Sequence, residues 1–326
     1  MPVSIDGNAV QPLITIALSC YNAEHTIQRA LGSALTQTWT AREIVIVDDG
    51  STDGSATLLE ELDRTRDEIR VIRHGSNRGV SGARNTLLAH ARGAFIAFFD
   101  DDDESMPDRL EQQYRRLSDY ELVHTPATVL CYTNRDVVRA GDRRPTSQLV
   151  GIGRLPPVPS GPIVADYLLG LVKDDGRHSW GRLGSGTLMA RTEALRSLGG
   201  FDVRFRRCAE LDLAVRAAFN GAHFISVDAP LVTQYLTPTA DKADNADLRY
   251  RLLLVKKHGG YLKEKRSFVG AWCYMHARFS RHRDWQWWLW YAAALICFPW
   301  HVSRERIKRS SLLVRVRPSS ARAASP

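Results

Sequence analysis

The chain has 326 residues, 44% of them hydrophobic and 25% charged, which is an ordinary globular composition with enough length for one large core or two small ones. Its five cysteines show no C-x-x-C spacing, so neither a zinc site nor a disulfide framework is predicted. No basic segment followed by an apolar stretch opens the sequence, so we expect no secretory signal, and a reducing cytosolic location is the default.

Strand-like and helix-like segments alternate over the first hundred residues. The strand-like runs are apolar on both faces and rich in β-branched residues, which predicts a parallel sheet covered by helices on each side. In such a sheet a ligand is expected outside the carboxyl ends of the strands. The predicted strands are residues 13–19, 43–49, 69–74 and 94–100, and the predicted helices are residues 24–37, 55–64 and 80–92.

Polar residues follow three of these predicted strands. The first strand ends in SCYN (19–22), the second in DDGSTD (48–53) and the fourth in DDDD (100–103). The carboxylates should therefore converge on one edge of the sheet. No G-x-G-x-x-G follows the first strand and no G-x-x-x-x-G-K-[ST] is present, which argues against a dinucleotide Rossmann site and a P-loop.

The four consecutive aspartates at 100–103 repel one another, so they form either a solvated acidic loop or a site that holds positive charge. An apolar strand aims them at the predicted ligand edge, which favours the second alternative. A nucleotide diphosphate needs a Mg²⁺ or Mn²⁺ ion, which one or two carboxylates hold while the phosphates complete its shell.

The DDGSTD segment also has two interpretations. Ser51 or Asp53 could cap the next helix, because both residue types are good N-caps. Asp48 and Asp49 come too early to cap and could accept hydrogen bonds from a base N–H or a sugar hydroxyl. In the preceding SCYN segment, the Tyr21 ring could stack on a base or simply pack in the core.

The second half of the chain has weaker patterns. Residues 139–162 are rich in Pro and Gly and are predicted to be a long loop at the edge of the site. Residues 184–202 predict a strand followed by a helix, and residues 210–228 a helix followed by a strand. Trp180 could stack on a sugar ring or pack in the core, and His178 is predicted to be a surface histidine.

Residues 284–300 hold five tryptophans and are followed by a basic segment with seven Lys or Arg residues against one Glu. As a helix the apolar part is about 24 Å long, short of the ~30 Å hydrocarbon core of a bilayer. Tryptophan favours the headgroup level, so the segment predicts an in-plane or re-entrant anchor on an anionic membrane face. The alternative is a helix that closes the domain. Nucleic acid would explain the arginines but not the tryptophans.

Five segments, in this order, resemble a family 2 inverting glycosyltransferase of GT-A fold over residues 13–235. The resemblance implies an α/β fold with a Rossmann-like, mostly parallel central sheet flanked by helices. It also implies a UDP-, dTDP- or GDP-sugar donor, a DXD-type site for Mg²⁺ or Mn²⁺, and a carboxylate general base. The segments are ITIALSCYN, IVIVDDGSTD, NRGVSGARN, GAFIAFFDDDDESMPDRL and LGGFDVRFRRCAELDLAVR.

The resemblance also implies a role for each matching residue. These are Ser19, Tyr21 and Asn22 for contacts with the nucleotide, Asp49 for the base, Arg84 for holding the nucleotide, Asp100 and Asp102 for the DXD positions with Asp102 the main metal ligand, Asp101 for the ribose, and Asp103 for the acceptor side or solvent.

The general base is where the sequence departs from the family pattern. Glu210 stands where the family usually has an aspartate, and Asp212 is the alternative. Glutamate can perform the same proton transfer if its longer side chain is accommodated. Glu210 could instead be an acid at a helix N-terminus, where the helix dipole favours it.

The predicted function is metal-dependent transfer of a sugar, with inversion, to a hydroxyl of a glycan or lipid-linked acceptor in cell-surface polysaccharide or glycolipid synthesis. The expected location is peripheral or monotopic at the cytoplasmic face of the membrane, with no nucleic-acid partner. A non-catalytic nucleotide-sugar-binding module and a membrane scaffold are the alternatives. The predicted parts are an N-terminal tail (1–12), a GT-A domain (13–240) with a nucleotide half (13–118) and an acceptor half (119–240), a helical linker (241–284), a membrane-associating helix (285–309) and a basic flexible tail (310–326).

Overall fold

The computed structural model describes residues 11–126, 128–139, 142, 144–172, 176–236, 246–280, 284–298 and 313–314. Most of the predicted N-terminal tail, the end of the predicted membrane-associating helix and most of the predicted basic tail lie outside these residues. The strands are β1 (Ile14–Cys20), β2 (Arg42–Asp48), β3 (Ile69–Arg73), β4 (Phe95–Asp100), β5 (Glu104–Ser105), β6 (Val129–Val138), β7 (Ser147–Leu149), β8 (Met189–Arg191), β9 (His223–Tyr235) and β10 (Leu313–Val314).

Eleven α-helices lie in the described residues, and a short 3₁₀ helix (Ser185–Thr187) precedes β8. The α-helices are α1 (Ile27–Leu35), α2 (Ser55–Thr65), α3 (Gly79–His90), α4 (Arg109–His124), α5 (Pro162–Leu168), α6 (Thr192–Ser197), α7 (Ala209–Phe219), α8 (Ala246–Lys257), α9 (Gly259–Glu264), α10 (Phe268–Phe279) and α11 (Trp285–Cys297).

The first four strands form the parallel sheet that the sequence predicts. Their order is β3-β2-β1-β4, and each neighbouring pair is parallel. In β1, the residues from Ile14 to Leu18 are all buried, because α1 and α3 pack on opposite faces of the sheet. Helix α1 begins at Ile27, three residues later than predicted, because the Ile27 N–H bonds the Ala23 carbonyl in a preceding turn.

The sheet as a whole is mixed, so the prediction of a mostly parallel sheet is correct only for the first four strands. Strand β8 is antiparallel to β4 and to β6, while β6 is parallel to β9. The sequence patterns assign neither α4 nor β6, although β6 is one of the longest strands. Within the predicted loop at 139–162, β7 pairs with β6.

The predicted linker helices pack against the same core as the sheet. Leu254 of α8, Leu262 of α9 and Met275 of α10 are buried in one cluster with Phe98 of β4. Because this cluster is continuous, α8 to α10 contribute to the fold of the domain rather than acting as a spacer.

Helix α11, formed by the tryptophan-rich segment, packs one face on the domain and leaves the other exposed. The Asp284 carboxylate caps it by accepting the Trp287 N–H at 2.9 Å. Trp287 and Ala294 are buried against α10, which is the packing expected of a helix that closes the domain. The opposite face leaves large apolar side chains exposed, namely Trp285, Trp288, Leu289 and Ile296. Among the described residues, no helix is both long and apolar enough to cross a membrane.

Candidate active site

The predicted convergence of polar residues at one edge of the sheet is present in the structure. In the strand register, Ser19 of β1 lies opposite Asp100 of β4, and Cys20 lies opposite Asp48 of β2. Just past the strand ends, the Tyr21 N–H donates to Asp101 Oδ2 at 3.0 Å. Three strands therefore deliver their terminal side chains to one place.

The turn after β1 is fixed by hydrogen bonds to the turn after β2. The Asn22 N–H donates to Ser51 Oγ at 3.0 Å, and Asn22 Oδ1 accepts the Thr52 N–H at 2.8 Å. Asn22 itself has φ +50°, a left-handed conformation that asparagine tolerates better than most residues. The Tyr21 ring is 47% exposed beside this turn, so it is not packed in the core and its face is accessible to a ligand.

Asp49 is buried and organises the loop between β3 and α3. Its Oδ1 accepts from His74 Nδ1 at 2.7 Å and the Arg78 N–H at 2.9 Å, and its Oδ2 accepts the Gly79 N–H at 2.8 Å. A carboxylate has about four acceptor positions, so one on Oδ2 remains for a ligand. A cleft of about 400 Å³ lies beside this loop, lined by Gly50, Ser51, Thr52, Arg73, His74 and Gly75.

Arg84 and Asp100 form an ion pair at the end of β4. Arg84 Nη2 lies 3.2 Å from Asp100 Oδ1, and the Arg84 side chain is 7% exposed against 28% for Asp100. A Cβ atom at Gly186 would lie 2.1 Å from Asp100 Oδ2, so glycine at this position leaves room for the carboxylate. The pair therefore presents a half-buried carboxylate whose position is fixed from two sides.

The aspartate run is crowded with like charge. Burial and the repulsion from Asp102 and Asp100 raise the pKa of Asp101 to about 7, against the hydrogen bond from the Tyr21 N–H. Burial and the same two neighbours raise the pKa of Asp103 to about 8. The fold therefore holds these carboxyl groups close together, which disfavours their ionised forms.

Two arginines that the sequence analysis did not select support this run. Arg109, in the PDRL segment, is fully buried and donates to Ser105 Oγ at 2.9 Å and to the Phe98 carbonyl at 2.9 Å. Burial lowers its pKa to about 10, although Asp100 and Asp103 act in the opposite direction. Arg29 Nη2 donates to the Asp102 carbonyl at 2.5 Å. An arginine directly after a proline–aspartate pair was the only sequence signal for Arg109.

Glu210 and Asp212, the two candidate bases, have very different surroundings. Glu210 is half-buried in the first turn of α7, two residues after Cys208, whose φ of +57° turns the chain sharply into the helix. Within the described part of the chain, its carboxylate forms no hydrogen bond or ion pair.

Asp212 is fully buried and bound to three basic side chains, which removes it from consideration as the alternative base. Its oxygens lie 2.9 Å from Arg216 Nε, 2.7 Å from Lys257 Nζ and 3.1 Å from His258 Nε2. A carboxylate held in this way has no surface to present to an acceptor hydroxyl.

The two predicted acceptor residues are both buried. Trp180 is 5% exposed and stacks on Tyr167 with ring centroids 4.2 Å apart, which is the core-packing interpretation of the two considered. Of the two positions predicted for Asp103, the acceptor side or solvent, the structure contradicts the second, because Asp103 is 5% exposed and accepts the Tyr235 N–H at 3.1 Å. His178 is half-exposed, with its ring 5.6 Å from that of Trp180.

Comparisons with known proteins agree with this arrangement. Residues 15–155 match the family model described as Glycosyl transferase family 2. The chain is 40% identical over 101 residues to the UDP-Glc:alpha-D-GlcNAc-diphosphoundecaprenol beta-1,3-glucosyltransferase WfgD of Escherichia coli, which covers 31% of this chain and 39% of that protein. It is 37% identical over 103 residues to the putative teichuronic acid biosynthesis glycosyltransferase TuaG of Bacillus subtilis (strain 168), covering 32% and 41%. The chain thus spans about two fifths of the length of these relatives.

The fold is also similar to that of a solved structure, S. aureus TarS 1-349 in complex with UDP-GlcNAc. The TM-score is 0.55 with 18% identity, over 86% of this chain and 79% of that one. At this identity the likeness concerns the fold alone, and it confirms the expected α/β GT-A-like architecture, although the sheet is mixed rather than mostly parallel.

Proposed function

We propose that the chain is a family 2 glycosyltransferase, on the ground that residues 15–155 match that family model, and that it transfers a sugar, with inversion, from a nucleotide-diphosphate sugar to a hydroxyl acceptor. The observation that carries the proposal is the convergence of Tyr21, Asp49 and the Arg84–Asp100 ion pair at the ends of β1, β2 and β4. In an open α/β sheet, this edge is where a nucleotide binds.

In the proposed donor complex, the base lies near Asp49 and the exposed Tyr21 ring. Asp49 Oδ2 offers one remaining acceptor position, which suits an N–H of uracil, thymine or guanine. Ser19 and Asn22 line the same edge, and we assign Asp101 to a contact with the ribose. The name of one relative includes a UDP-glucose donor, and the similar solved structure is a complex with UDP-GlcNAc, which supports a nucleotide sugar as the ligand class.

The residues at the end of β4 fit a divalent cation. Asp100 and Asp102 supply carboxylate oxygens, the ligands that Mg²⁺ and Mn²⁺ prefer, and Gly186 leaves space at Asp100. Among the described residues, no group of three or more His, Cys, Asp or Glu side chains is arranged to hold a metal. This agrees with a site that takes only one or two protein carboxylates and is completed by the donor phosphates. When bound, such an ion would neutralise the charge of the departing diphosphate.

We assign the general base to Glu210. Its carboxylate has no internal partner among the described residues and stands at the start of α7, so it can accept the proton of an acceptor hydroxyl. Attack of that oxygen on the anomeric carbon and departure of the diphosphate from the opposite face complete the reaction in one displacement. This step inverts the configuration and needs no nucleophile from the protein.

The acceptor is proposed to be a glycan or a lipid-linked sugar at the cytoplasmic face of a membrane. The exposed tryptophans of α11 form an apolar surface of the kind that sits at the headgroup level. The names of the relatives connect them with a diphosphoundecaprenol acceptor and with teichuronic acid, which supports synthesis of cell-surface polysaccharide.

The test is a thermal-shift panel of UDP, dTDP and GDP with and without Mn²⁺ on wild type, Asp102→Asn and the control Asp67→Asn, which changes an exposed aspartate. We expect one nucleotide to raise the unfolding temperature of wild type and the control only when Mn²⁺ is present, and Asp102→Asn to lose that increment. Absence of any nucleotide shift in wild type would contradict the proposal. Binding without transfer by wild type, with every donor sugar of the selected nucleotide, would favour the non-catalytic module.

A further inference from the structure

Arg182 lies within electrostatic range of three other arginines, two of which belong to the helices that follow the acceptor half, and the proposed reaction uses none of the four. They come from separate parts of the chain: Arg135 from β6, Arg182 from the segment before β8, Arg251 from α8 and Arg278 from α10. Because these residues are far apart in sequence, it is the fold of the chain that brings their like charges together.

Packing contacts fix where each arginine lies. A Cβ atom at Gly184 would lie 2.5 Å from Arg135 Nη1, so the Arg135 guanidinium lies directly against that glycine. Arg182 is held by backbone hydrogen bonds to Val150 and Ile152, immediately after the β7 residue Leu149 that pairs with Arg135.

The other two arginines share one aromatic ring. The Arg251 guanidinium lies 3.7 Å from the centroid of the Phe279 ring, and that of Arg278 lies 5.4 Å from it. Stacking of this kind orients a guanidinium and leaves its edge N–H groups available for hydrogen bonds.

Two of the four arginines, Arg135 and Arg182, have side chains without an internal partner in the described part of the chain. Arg251 pairs with Asp247 at 3.1 Å. Desolvation, opposed by the Tyr167 hydroxyl, and then repulsion from Arg278, Arg135 and Arg251 lower the pKa of Arg182, although the residue is exposed to solvent. A bound anion would relieve this repulsion.

This cluster of four arginines also lies between the aspartate run and the proposed base Glu210. Arg135 is close enough to act electrostatically on Asp103 of the aspartate run. At the other end, Arg251 binds Asp247, which accepts the Cys208 Sγ–H at 3.2 Å, two residues before Glu210. An anion held by these arginines would therefore be next to the proposed base.

We propose that Arg135, Arg182, Arg251 and Arg278 bind a phosphate group carried by the acceptor, and so position its hydroxyl beside Glu210. The identification of the ligand as an acceptor rests on the function proposed above. Phosphate is favoured over a carboxylate because several guanidinium groups can share its oxygens and its higher charge. The phosphate belongs either to a lipid diphosphate, since α11 with its exposed tryptophans follows Arg278 in the chain, or to a phosphodiester within a polymer.

The test measures binding of three soluble probes by calorimetry, with EDTA present so that no metal bridges them to the aspartate run. The probes are farnesyl diphosphate for a lipid diphosphate, glycerophosphoglycerol for a polymer phosphodiester, and inorganic pyrophosphate for the anion alone. The protein is the full chain as wild type, as Arg135→Gln/Arg182→Gln, and as the control Arg64→Gln/Arg66→Gln, which removes the same charge from exposed positions on and beside α2.

We expect wild type and the control to bind one of the two organic phosphates. The affinity of Arg135→Gln/Arg182→Gln for that phosphate should be lower by about tenfold or more, because charged hydrogen bonds are lost. Arg182→Lys, which keeps the charge but not the bidentate geometry, should fall between them and serves as the test if the double variant does not fold. Equal affinity in all proteins, equal binding of uncharged farnesol, or no binding of any phosphate probe by wild type would overturn the proposal.

The result of the phosphate-binding test can be distinguished from the result of the nucleotide-binding test of the proposed function. The metal-dependent nucleotide shift depends on residues of the nucleotide half (13–118), and neither substituted arginine belongs to it, so Arg135→Gln/Arg182→Gln should retain that shift. If the nucleotide shift is present while the phosphate probes fail to bind, the arginine cluster is not an acceptor site and the donor assignment stands. If the phosphate probes bind through the cluster and no nucleotide binds, the glycosyltransferase proposal fails instead.

Discussion

The partly exposed aspartate run at the end of β4 and the fully buried Asp212 in α7 are both acidic, yet their surroundings are opposite. Around the run, neighbouring carboxylates and burial raise the pKa of Asp101 to about 7 and that of Asp103 to about 8. Around Asp212, burial acts in the same direction, but hydrogen bonds from His258, Lys257 and Arg216 outweigh it and lower the pKa.

This difference separates a binding region from a structural one. Asp212 has three basic partners at 3.1 Å or less, so the protein itself satisfies its charge and nothing is left for a ligand. The aspartate run has an ion pair to Asp100 and buried Arg109 beneath it, but burial and repulsion among its carboxylates still raise the pKa of Asp101 and Asp103. An external cation is what such a region lacks, and its proposed partner is the ion that accompanies a nucleotide diphosphate.

The largest expected effect comes from Glu210, which belongs to α7 like Asp212 but has no internal partner within the described residues. We expect Glu210→Gln to lower kcat by about 10²- to 10⁴-fold, because the amide cannot take up a proton. Metal-dependent nucleotide binding and the free energy of unfolding should stay near wild type. Steady-state transfer assays and the thermal-shift panel measure these quantities.

Glu61→Gln is the matched control for this change, since Glu61 is an exposed glutamate on α2. Its kcat should equal that of wild type. A Glu210→Gln enzyme with wild-type kcat would show that Glu210 is only an acid at a helix N-terminus, which is the other interpretation of its position.

The opposite effect is expected of Asp212→Asn, which should destabilise the fold and leave catalysis by the folded fraction intact. The change leaves Lys257 and Arg216 facing a neutral group in a buried site, and the expected loss is about 3 kcal/mol in the free energy of unfolding. Urea denaturation measures it, with exposed Asp119→Asn as the control that should stay within about 0.5 kcal/mol of wild type. A stable Asp212→Asn protein with a lost kcat would reverse the roles assigned to Asp212 and Glu210.

The free energy of unfolding at acidic pH gives a further test of the ion pairs around Asp212. The pKa of Asp212 is lowered in the folded protein, so its contribution is fully present above the unfolded value of about 3.9 and is lost as the pH falls through the folded pKa. The gap in unfolding free energy between wild type and Asp212→Asn should therefore narrow below about pH 4. Urea titrations between pH 7 and pH 3 test this, and a gap that widens with acid would contradict the assigned ion pairs.

These two regions also differ in how far the sequence could predict them. The aspartate run follows an apolar strand and is contiguous, so its position at the ligand edge could be inferred from local pattern alone. The sequence leaves Asp212 as the alternative base from its place near Glu210. Its neutralisation by Lys257 and His258 could not be inferred, because these residues lie about 45 positions further along the chain and no local pattern joins them. The parallel strands were predicted for the same local reason, whereas β6 and the antiparallel pairing of β8 depend on long-range contacts.

The smallest expected effect is that of Lys257→Gln. This change tests whether several basic side chains together neutralise the Asp212 carboxylate. Lys257 Nζ lies 2.7 Å from Asp212 and 2.7 Å from Asp202, and its side chain is 18% exposed. Arg216 and His258 remain on Asp212 in the variant, so we expect a loss of about 1 kcal/mol, well below that of Asp212→Asn. Lys256→Gln removes an exposed charge from the adjacent position and should leave the free energy of unfolding unchanged. A loss as large as that of Asp212→Asn would mean that Lys257 alone neutralises Asp212, and that the contacts with Arg216 and His258 contribute little.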